Sequence, residues 1–169
     1  MNVQETMKQI LEAESKAVMN IPVTDGYEKA VNLIVEQVHV KGGKLVTSGM
    51  GKAGQIAMNI ATTFASTGIP AVCLHPSEAQ HGDLGIVQQD DVVLCISKSG
   101  NTPEIKVLVP LIRRMGNKLV AMVSNVDSYL AQHSDYVIKA TVDAEACPNN
   151  LAPTSSTTTQ LVMGDALAV

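Results

Sequence analysis

The segment with the clearest chemical potential is a short run of small hydroxyl residues and glycine, Ser97-Lys98-Ser99-Gly100-Asn101-Thr102. It follows an apolar run at residues 92–96 and precedes a helical pattern that begins at Pro103. The first N–H groups of a helix have no backbone partner, and the helix dipole favours negative charge, so such a turn can hold an anion. Hydroxyl groups add donors, Gly100 permits close approach of the backbone, and Glu104 follows one step inside the helix. The segment predicts a phosphate site beside a carboxylate, and hence chemistry on a phosphorylated small molecule.

A second glycine-rich turn, Gly49-Met50-Gly51-Lys52-Ala53-Gly54, also joins a strand pattern to a helix pattern. Its spacing matches the dinucleotide motif G-x-G-x-x-G, but that site needs a carboxylate about 20 residues later, where Cys73-Leu74-His75 has none. A Walker loop is excluded because Ala53 stands where Ser or Thr would bind magnesium. Two interpretations remain, a solvated lysine or an anion site. A cation such as Lys52 opposes the helix dipole by about 0.3–1 kcal/mol, and an anion would reverse that penalty.

A polar cluster lies at residues 75–83, with His75, Glu78, His81 and Asp83. Its spacing is not that of a closed metal site. Both an irregular loop with one or two catalytic or substrate-contacting histidines and a plain polar surface loop fit the pattern. Glu145 lies in a further turn, and its own surroundings assign it no role.

Alternating strand and helix patterns predict the scaffold that carries these turns. Strand patterns occupy residues 45–47, 71–74, 92–96, 119–123 and 136–138; helix patterns occupy residues 53–67, 103–115 and 128–133, and a last one begins near residue 155. Amphipathic helices precede them, the second over residues 25–40. We expect one α/β domain over residues 1–169, a three-layer αβα sandwich with a five-stranded parallel sheet, N-terminal helices at 1–43 and a βα core at 44–169. Ligands bind at the carboxyl ends of such strands, which places both glycine turns along one edge.

Composition narrows the function classes. The chain has 169 residues, a formal net charge of −4 and no tryptophan, and its only arginines are Arg113 and Arg114. It therefore lacks the basic stripe and the stacking platforms of nucleic-acid binders. No apolar run approaches about 20 residues and no signal pattern opens the chain, so we expect a cytoplasmic protein with no membrane partner. The last residues stop within an apolar stretch, which predicts that the sequence is part of a longer protein.

The first helix pattern carries apolar residues at heptad spacing, interrupted by Glu14. This narrow seam suits a partner helix and predicts self-association, although packing within one chain explains it equally well. The residues of the seam are Val3, Met7, Ile10, Ala17 and Ile21.

Six segments occur together: Ser48-Gly49-Met50-Gly51-Lys52, Ala65-Ser66-Thr67-Gly68, His75-Pro76, His81-Gly82-Asp83-Leu84-Gly85, Ser97-x-Ser99-Gly100 and Ala152-Pro153-Thr154-Ser155-Ser156-Thr157-Thr158. Together they resemble the sugar isomerase (SIS) domain and, with Met163-Gly164-Asp165-Ala166-Leu167-Ala168, more narrowly the D-arabinose-5-phosphate isomerase family. The resemblance implies a flavodoxin-like sheet and the interconversion of D-arabinose 5-phosphate and D-ribulose 5-phosphate, which feeds the Kdo sugar of bacterial lipopolysaccharide. It also implies a homotetramer and no required cofactor.

The resemblance also implies roles for matching residues. Lys52, Glu104 and Glu145 correspond to catalytic residues, and His81 to a substrate-contacting histidine that could assist ring opening. His75 matches a position at which the family can bind zinc, a metal that need not serve catalysis. The implied substrate and phosphate site comprises Ser48, Gly49, Gly51, Gly68, His75, Ser97, Ser99, Gly100, Asn101, Thr102, Ser155 and Thr157.

The sequence departs from the family in three ways. Lys98 replaces a residue that is commonly polar and uncharged. A catalytic histidine that the family places in a Ser-His-Pro-Gly-Gly segment has no counterpart before Val169, and the paired CBS domains that often follow do not fall within residues 1–169. We expect an isomerase in which Glu104 is the base and Lys52 stabilises the enediolate. The alternative is a non-catalytic module that senses a phosphosugar or nucleotide sugar, and a dinucleotide-dependent oxidoreductase ranks third.

Overall fold

A computed structural model describes residues 2–169 and contains one parallel sheet. Its strand order is β2-β1-β3-β4-β5, so the chain reverses direction across the sheet between β1 and β3. This is the doubly wound, flavodoxin-like order, and it confirms the predicted fold class. The strands are β1 (Leu45–Gly49), β2 (Ala71–Cys73), β3 (Val92–Ser97), β4 (Lys118–Val123) and β5 (Tyr136–Lys139).

Helices cover both faces of the sheet. Alternate strand residues point to opposite faces, which separates the core into two apolar layers. One layer lies under α2, α3 and α7, and the other under α4, α5 and α6. The helices are α1 (Val3–Met19), α2 (Asp25–Ile34), α3 (Lys52–Ser66), α4 (Pro76–Ala79), α5 (Pro103–Met115), α6 (Tyr129–Gln132) and α7 (Ser155–Ala168).

Two predicted elements differ from those observed. The helix expected over residues 25–40 is α-helical only to Ile34 and continues as a π-helical turn, Val35–Val40. Three valines, whose branched Cβ atoms crowd an α-helix, fall in that turn. The segment expected to be an irregular loop at residues 75–83 contains the short helix α4 and leads into a 3₁₀ turn, Asp83–Ile86.

Helix α1 lies outside both layers and contains no buried residue. Glu14, the residue that interrupts its apolar seam, accepts a hydrogen bond of 2.7 Å from the Thr158 hydroxyl of α7. The polar interruption therefore attaches α1 to α7, while Met7 and Leu11 stay 59% and 68% exposed. No helix within residues 2–169 is both long and apolar enough to cross a membrane.

Candidate functional site

A cavity of about 540 Å³ opens at the carboxyl edge of the sheet, beside the point where the loops after β1 and β3 diverge. This is where doubly wound sheets bind their ligands. Five residues predicted for the site line it: Lys52, Ser97, Ser99, Thr102 and Thr157. The remaining lining residues are Met50, Ala53, Ile96, Lys98, Ser124, Asn125, Pro153, Ser156 and Gln160.

Hydroxyl groups shape the loop between β3 and α5. The Ser97 Oγ accepts a hydrogen bond of 3.0 Å from the Gly100 N–H, and the Ser99 Oγ accepts one of 3.3 Å from the Asn101 N–H. A serine hydroxyl that accepts in this way keeps its own proton for donation. Ser97 and Ser99 can therefore hold the loop and still donate to an anion in the cavity.

Two predicted residues of that loop serve the scaffold. Gly100 has a φ of +65°, and a Cβ built there would lie 2.1 Å from the Ser128 Oγ, so only glycine fits. The Asn101 side chain turns away from the cavity and accepts a hydrogen bond of 3.1 Å from the Tyr129 N–H at the start of α6. Both residues fix the loop without lining the cavity.

The turn between β1 and α3 brings backbone close to backbone. A Cβ at Gly49 would lie 2.8 Å from the Ala53 carbonyl, and Gly51 has a φ of +56°. Ser48 is fully buried, and its hydroxyl donates to the Leu74 carbonyl at 2.6 Å, so it fastens β1 to the end of β2. This close packing lets Lys52, the first residue of α3, stand at the cavity wall.

Three long helices begin at this cavity: α3 at Lys52, α5 after Thr102, and α7 at Ser155. Neither α3 nor α5 has a side-chain cap. The N–H groups of Lys52 and Ala53 in α3, and of Glu104 and Ile105 after the N–H-less Pro103 in α5, are therefore free for a ligand. The partial positive charge of these helix ends adds to that of the Lys52 and Lys98 ammonium groups. The cavity is therefore suited to an anion with several oxygen acceptors.

The carboxylate of Glu145 binds the first backbone N–H groups of α7. Its side chain is 1% exposed, and its carboxylate accepts hydrogen bonds from Lys98 Nζ at 2.5 Å, Ser156 Oγ at 2.5 Å and the Thr154 N–H at 2.8 Å. The Ser156 N–H and the Thr154 hydroxyl also donate to it. Burial alone would raise the pKa of this carboxyl, but the donors from Lys98, Ser156 and Thr154 outweigh burial and lower the pKa to about 2.

The Lys98–Glu145 ion pair connects the β3–α5 loop to α7. Lys98 is half exposed and lines the cavity, whereas Glu145 lies behind the wall that Lys98 and Ser156 form. A lysine ammonium has three donors, so Lys98 can bind Glu145 and still donate to a ligand. The two oxygens of the Glu145 carboxylate together accept five hydrogen bonds from within the chain.

The structure places the other predicted residues outside the cavity. Glu104 is half-buried, two residues beyond Thr102. His75 and His81 are exposed on the α4 segment. Gly68 follows the end of α3. Because α3 begins at the carboxyl edge of the sheet and runs antiparallel to the strands, Gly68 lies at the opposite, amino edge.

The donor set does not fit a metal ion. Within the described residues 2–169, no three His, Cys, Asp or Glu side chains come together as a metal site would need. His75, the position at which the resemblance implies zinc, is exposed at the start of α4 and makes no hydrogen bond with its side chain to the described residues.

Sequence reasoning missed two groups of lining residues. Ser124 and Asn125 follow β4 directly, and the rule about carboxyl ends of parallel strands applies to them as it does to Ser97. Ser156 and Gln160 lie four residues apart on one face of α7, a spacing that would have placed both with Thr157. The hydroxyl of Ser155, which was predicted, is buried and unpartnered but adjoins the cavity without lining it.

Comparison with known proteins gives a consistent result. The SIS domain family matches residues 39–169. The arabinose 5-phosphate isomerase KdsD of Pseudomonas aeruginosa is 49% identical over 147 residues, which is 87% of this chain and 44% of that protein. The chain spans about half the length of the curated relatives that it matches.

Two solved structures overlay almost the whole chain. A Bacteroides fragilis protein, provisionally assigned as a phosphosugar isomerase involved in capsule formation, is 57% identical with a TM-score of 0.96, over 99% of this chain and 88% of that one. The c3406 protein of Escherichia coli CFT073, crystallised in complex with arabinose 5-phosphate, is 42% identical with a TM-score of 0.89, over 99% of this chain and 90% of that one.

Proposed function

The chain belongs to the SIS domain family, and we propose that it interconverts D-arabinose 5-phosphate and D-ribulose 5-phosphate through an enediol intermediate. The observation that carries the proposal is the cavity in which two uncapped helix starts, two lysines and several hydroxyl groups converge. The names of the curated relatives and the sugar-phosphate complex of the E. coli structure support the choice of sugar. The reaction would serve synthesis of the Kdo sugar of lipopolysaccharide.

The phosphate fixes one end of the substrate. We assign it to the β3–α5 loop, where Ser97, Ser99 and the first N–H groups of α5 supply donors. Lys98 adds charge at the same wall. Binding energy from this remote group orients the open-chain sugar, so that its reacting carbons meet the catalytic groups in one geometry.

The reaction moves a proton between neighbouring carbons. A base removes the proton from C2, and the C1–C2 double bond forms as O1 becomes an oxyanion. O1 then takes up a proton as O2 gives one up, and return of the proton from the base to C1 gives the ketose. Lys52 is the donor for the oxyanion, because its ammonium stands at the cavity wall without a carboxylate partner among the described residues. One well-placed donor is worth about 3–4 kcal/mol.

Glu104 does not line the cavity, but it lies two residues beyond the lining residue Thr102 and matches a catalytic position of the family, and we assign it as the base. It follows the phosphate loop in the first turn of α5, and its carboxylate accepts no hydrogen bond from the described residues. Glu145, in contrast, holds five donors and acts by positioning Lys98 and α7.

Replacement of Glu104 tests the proposal. In Glu104→Gln we expect the formation of ribulose 5-phosphate to fall by about 10²–10⁴-fold, with the dissociation constant for arabinose 5-phosphate changed by less than about threefold. Asp127→Asn, a change at an exposed carboxylate near the cavity, is the matched control and should keep full turnover. Wild-type turnover in Glu104→Gln would remove Glu104 from the mechanism. Tight binding of the sugar phosphate without turnover in the unsubstituted chain would instead support the sensor alternative.

A further inference from the structure

Gln160 is a buried amide on the cavity wall to which neither the motifs nor the mechanism gives a role. It lies in the second turn of α7, is 1% exposed and lines the cavity, as Ala53 and Ile96 also do. Ser156 precedes it by four residues and Gly164 follows it by four, so the three share one face of the helix.

That face packs tightly against α3. A Cβ built on Gly164 would lie 2.3 Å from the side chain of Ile60, so the two helices are in close contact one turn below Gln160.

The Oε1 of Gln160 has no hydrogen-bond partner. Within the described part of the chain, four buried side-chain atoms lack a partner. Two belong to residues that line this cavity, Thr102 and Gln160, and a third belongs to Ser155, which precedes the lining residue Ser156 in the sequence. A buried acceptor without a partner lowers the stability of the empty protein, and such atoms call for an explanation in function. Their concentration at one cavity indicates that a ligand supplies the missing partners.

The chemistry of the amide distinguishes it from the phosphate-binding groups. Glutamine is neutral, and it both accepts and donates, which matches a hydroxyl group better than it matches a phosphate oxygen. The charged donors Lys52 and Lys98 and the uncapped helix starts serve the anion instead. Ala53 and Ile96 add apolar surface to the same cavity, and a few polar groups on a largely apolar wall are what sets specificity in such sites.

We propose that Gln160 is a specificity-determining residue that hydrogen-bonds a hydroxyl group of the sugar portion of the substrate. This inference rests on the proposed function, because it takes the bound phosphosugar as its ligand. A ligand that lacks the hydroxyl would leave the amide unpaired, and the site would discriminate against it.

The test compares a ligand that has the sugar portion with one that lacks it. Gln160→Met keeps the size of the side chain and removes the amide. By isothermal titration calorimetry, we expect the dissociation constant for D-arabinose 5-phosphate to rise about two- to tenfold, with that for inorganic phosphate unchanged within twofold. The melting temperature of the unliganded variant should equal or exceed that of the unsubstituted chain, because an unpartnered buried amide has been removed.

Two further variants test whether the loss of affinity comes from the Gln160 amide itself. Gln160→Asn keeps the amide but shortens its reach by one methylene, and it should lose affinity for the sugar phosphate in the same way. Thr159→Val, next to Gln160 but outside the cavity, removes a hydroxyl that donates to the Ser156 carbonyl at 2.9 Å. It should leave both dissociation constants unchanged.

The outcomes separate the inference from the proposed function. Equal affinities of Gln160→Met and the unsubstituted chain for arabinose 5-phosphate, or a parallel loss for both ligands, would overturn the role of Gln160 alone. A structural amide satisfied by water predicts a lower melting temperature with unchanged binding, which also overturns it. Failure of the unsubstituted chain to bind arabinose 5-phosphate while it binds inorganic phosphate would refute the proposed function itself.

Discussion

Glu145→Gln tests how the buried carboxylate behind the cavity contributes to stability. In the native protein, five donors from Lys98, Thr154 and Ser156 converge on its two oxygens. An amide cannot replace it, because the Nε2 of glutamine would face at least one of those donors with a second donor. The substitution therefore leaves buried donors at the start of α7 without an acceptor.

The pKa of Glu145 gives the size of its contribution to the free energy of unfolding. A folded-state pKa of about 2 against an ordinary value of 4.5 corresponds to about 3 kcal/mol of stability at pH 7. Because the folded pKa is depressed, this contribution is complete above pH 4.5 and is lost as the pH falls from 4.5 towards 2. About 2 kcal/mol of it should be gone at pH 3.

Urea unfolding at pH 7 and pH 3, followed by circular dichroism, measures this contribution. We expect Glu145→Gln to be less stable than the unsubstituted chain by about 3 kcal/mol at pH 7, with the difference reduced by about 2 kcal/mol at pH 3. Other carboxylates titrate in both proteins and cancel in the difference. Asp143 is an exposed carboxylate in the same loop. The variant Asp143→Asn should have the same free energy of unfolding as the unsubstituted chain at both values of pH. If the stability of Glu145→Gln falls with acid as steeply as that of the unsubstituted chain, the assignment of the depressed pKa is wrong.

Three more predictions concern the loop, the assembly and the metal. Gly100→Ala should lower stability by at least about 2 kcal/mol and weaken phosphate binding, because its Cβ would meet the Ser128 Oγ at 2.1 Å; denaturation and calorimetry would show it, and a neutral result would refute the tight loop. We expect light scattering at micromolar concentration to report a homotetramer, and Met7→Lys with Leu11→Lys to shift it to smaller species if the exposed face of α1 mediates assembly; a monomeric unsubstituted chain would contradict this. Chelation with EDTA should leave turnover unchanged within twofold, whereas a loss restored by zinc would reinstate His75 as a ligand.

Short sequence patterns were enough to predict those parts of the cavity wall that come from one continuous turn. The β3–α5 loop was predicted because a strand that ends in serines and glycine before a helix creates its donors within a few residues. The glycine-rich turn between β1 and α3 predicted the position of Lys52 at the cavity wall in the same way. The parallel sheet followed from the alternation of strands and helices, whereas its flavodoxin-like strand order was implied by the family resemblance.

Contacts between distant segments escaped prediction. Asn101 looked like a ligand-binding residue, but its partner is the N–H of Tyr129, 28 residues away. Glu145 received no role from its surroundings, because its donors come from Lys98 and the start of α7. Gly68 shows the opposite case, in which topology could have corrected the resemblance. A helix of 15 residues is about 22 Å long, so its two ends cannot both border one small cavity.

The cavity wall draws on widely separated parts of the chain: the turn after β1, the loops after β3 and β4, and the first turns of α7. No partly folded state that leaves α7 undocked can assemble it. A sugar phosphate should therefore bind only the fully assembled protein and shift the global unfolding equilibrium, by about 2.7 kcal/mol when the ligand is present at 100 times its dissociation constant. Capture of the ligand and completion of the tertiary structure thus become one cooperative event.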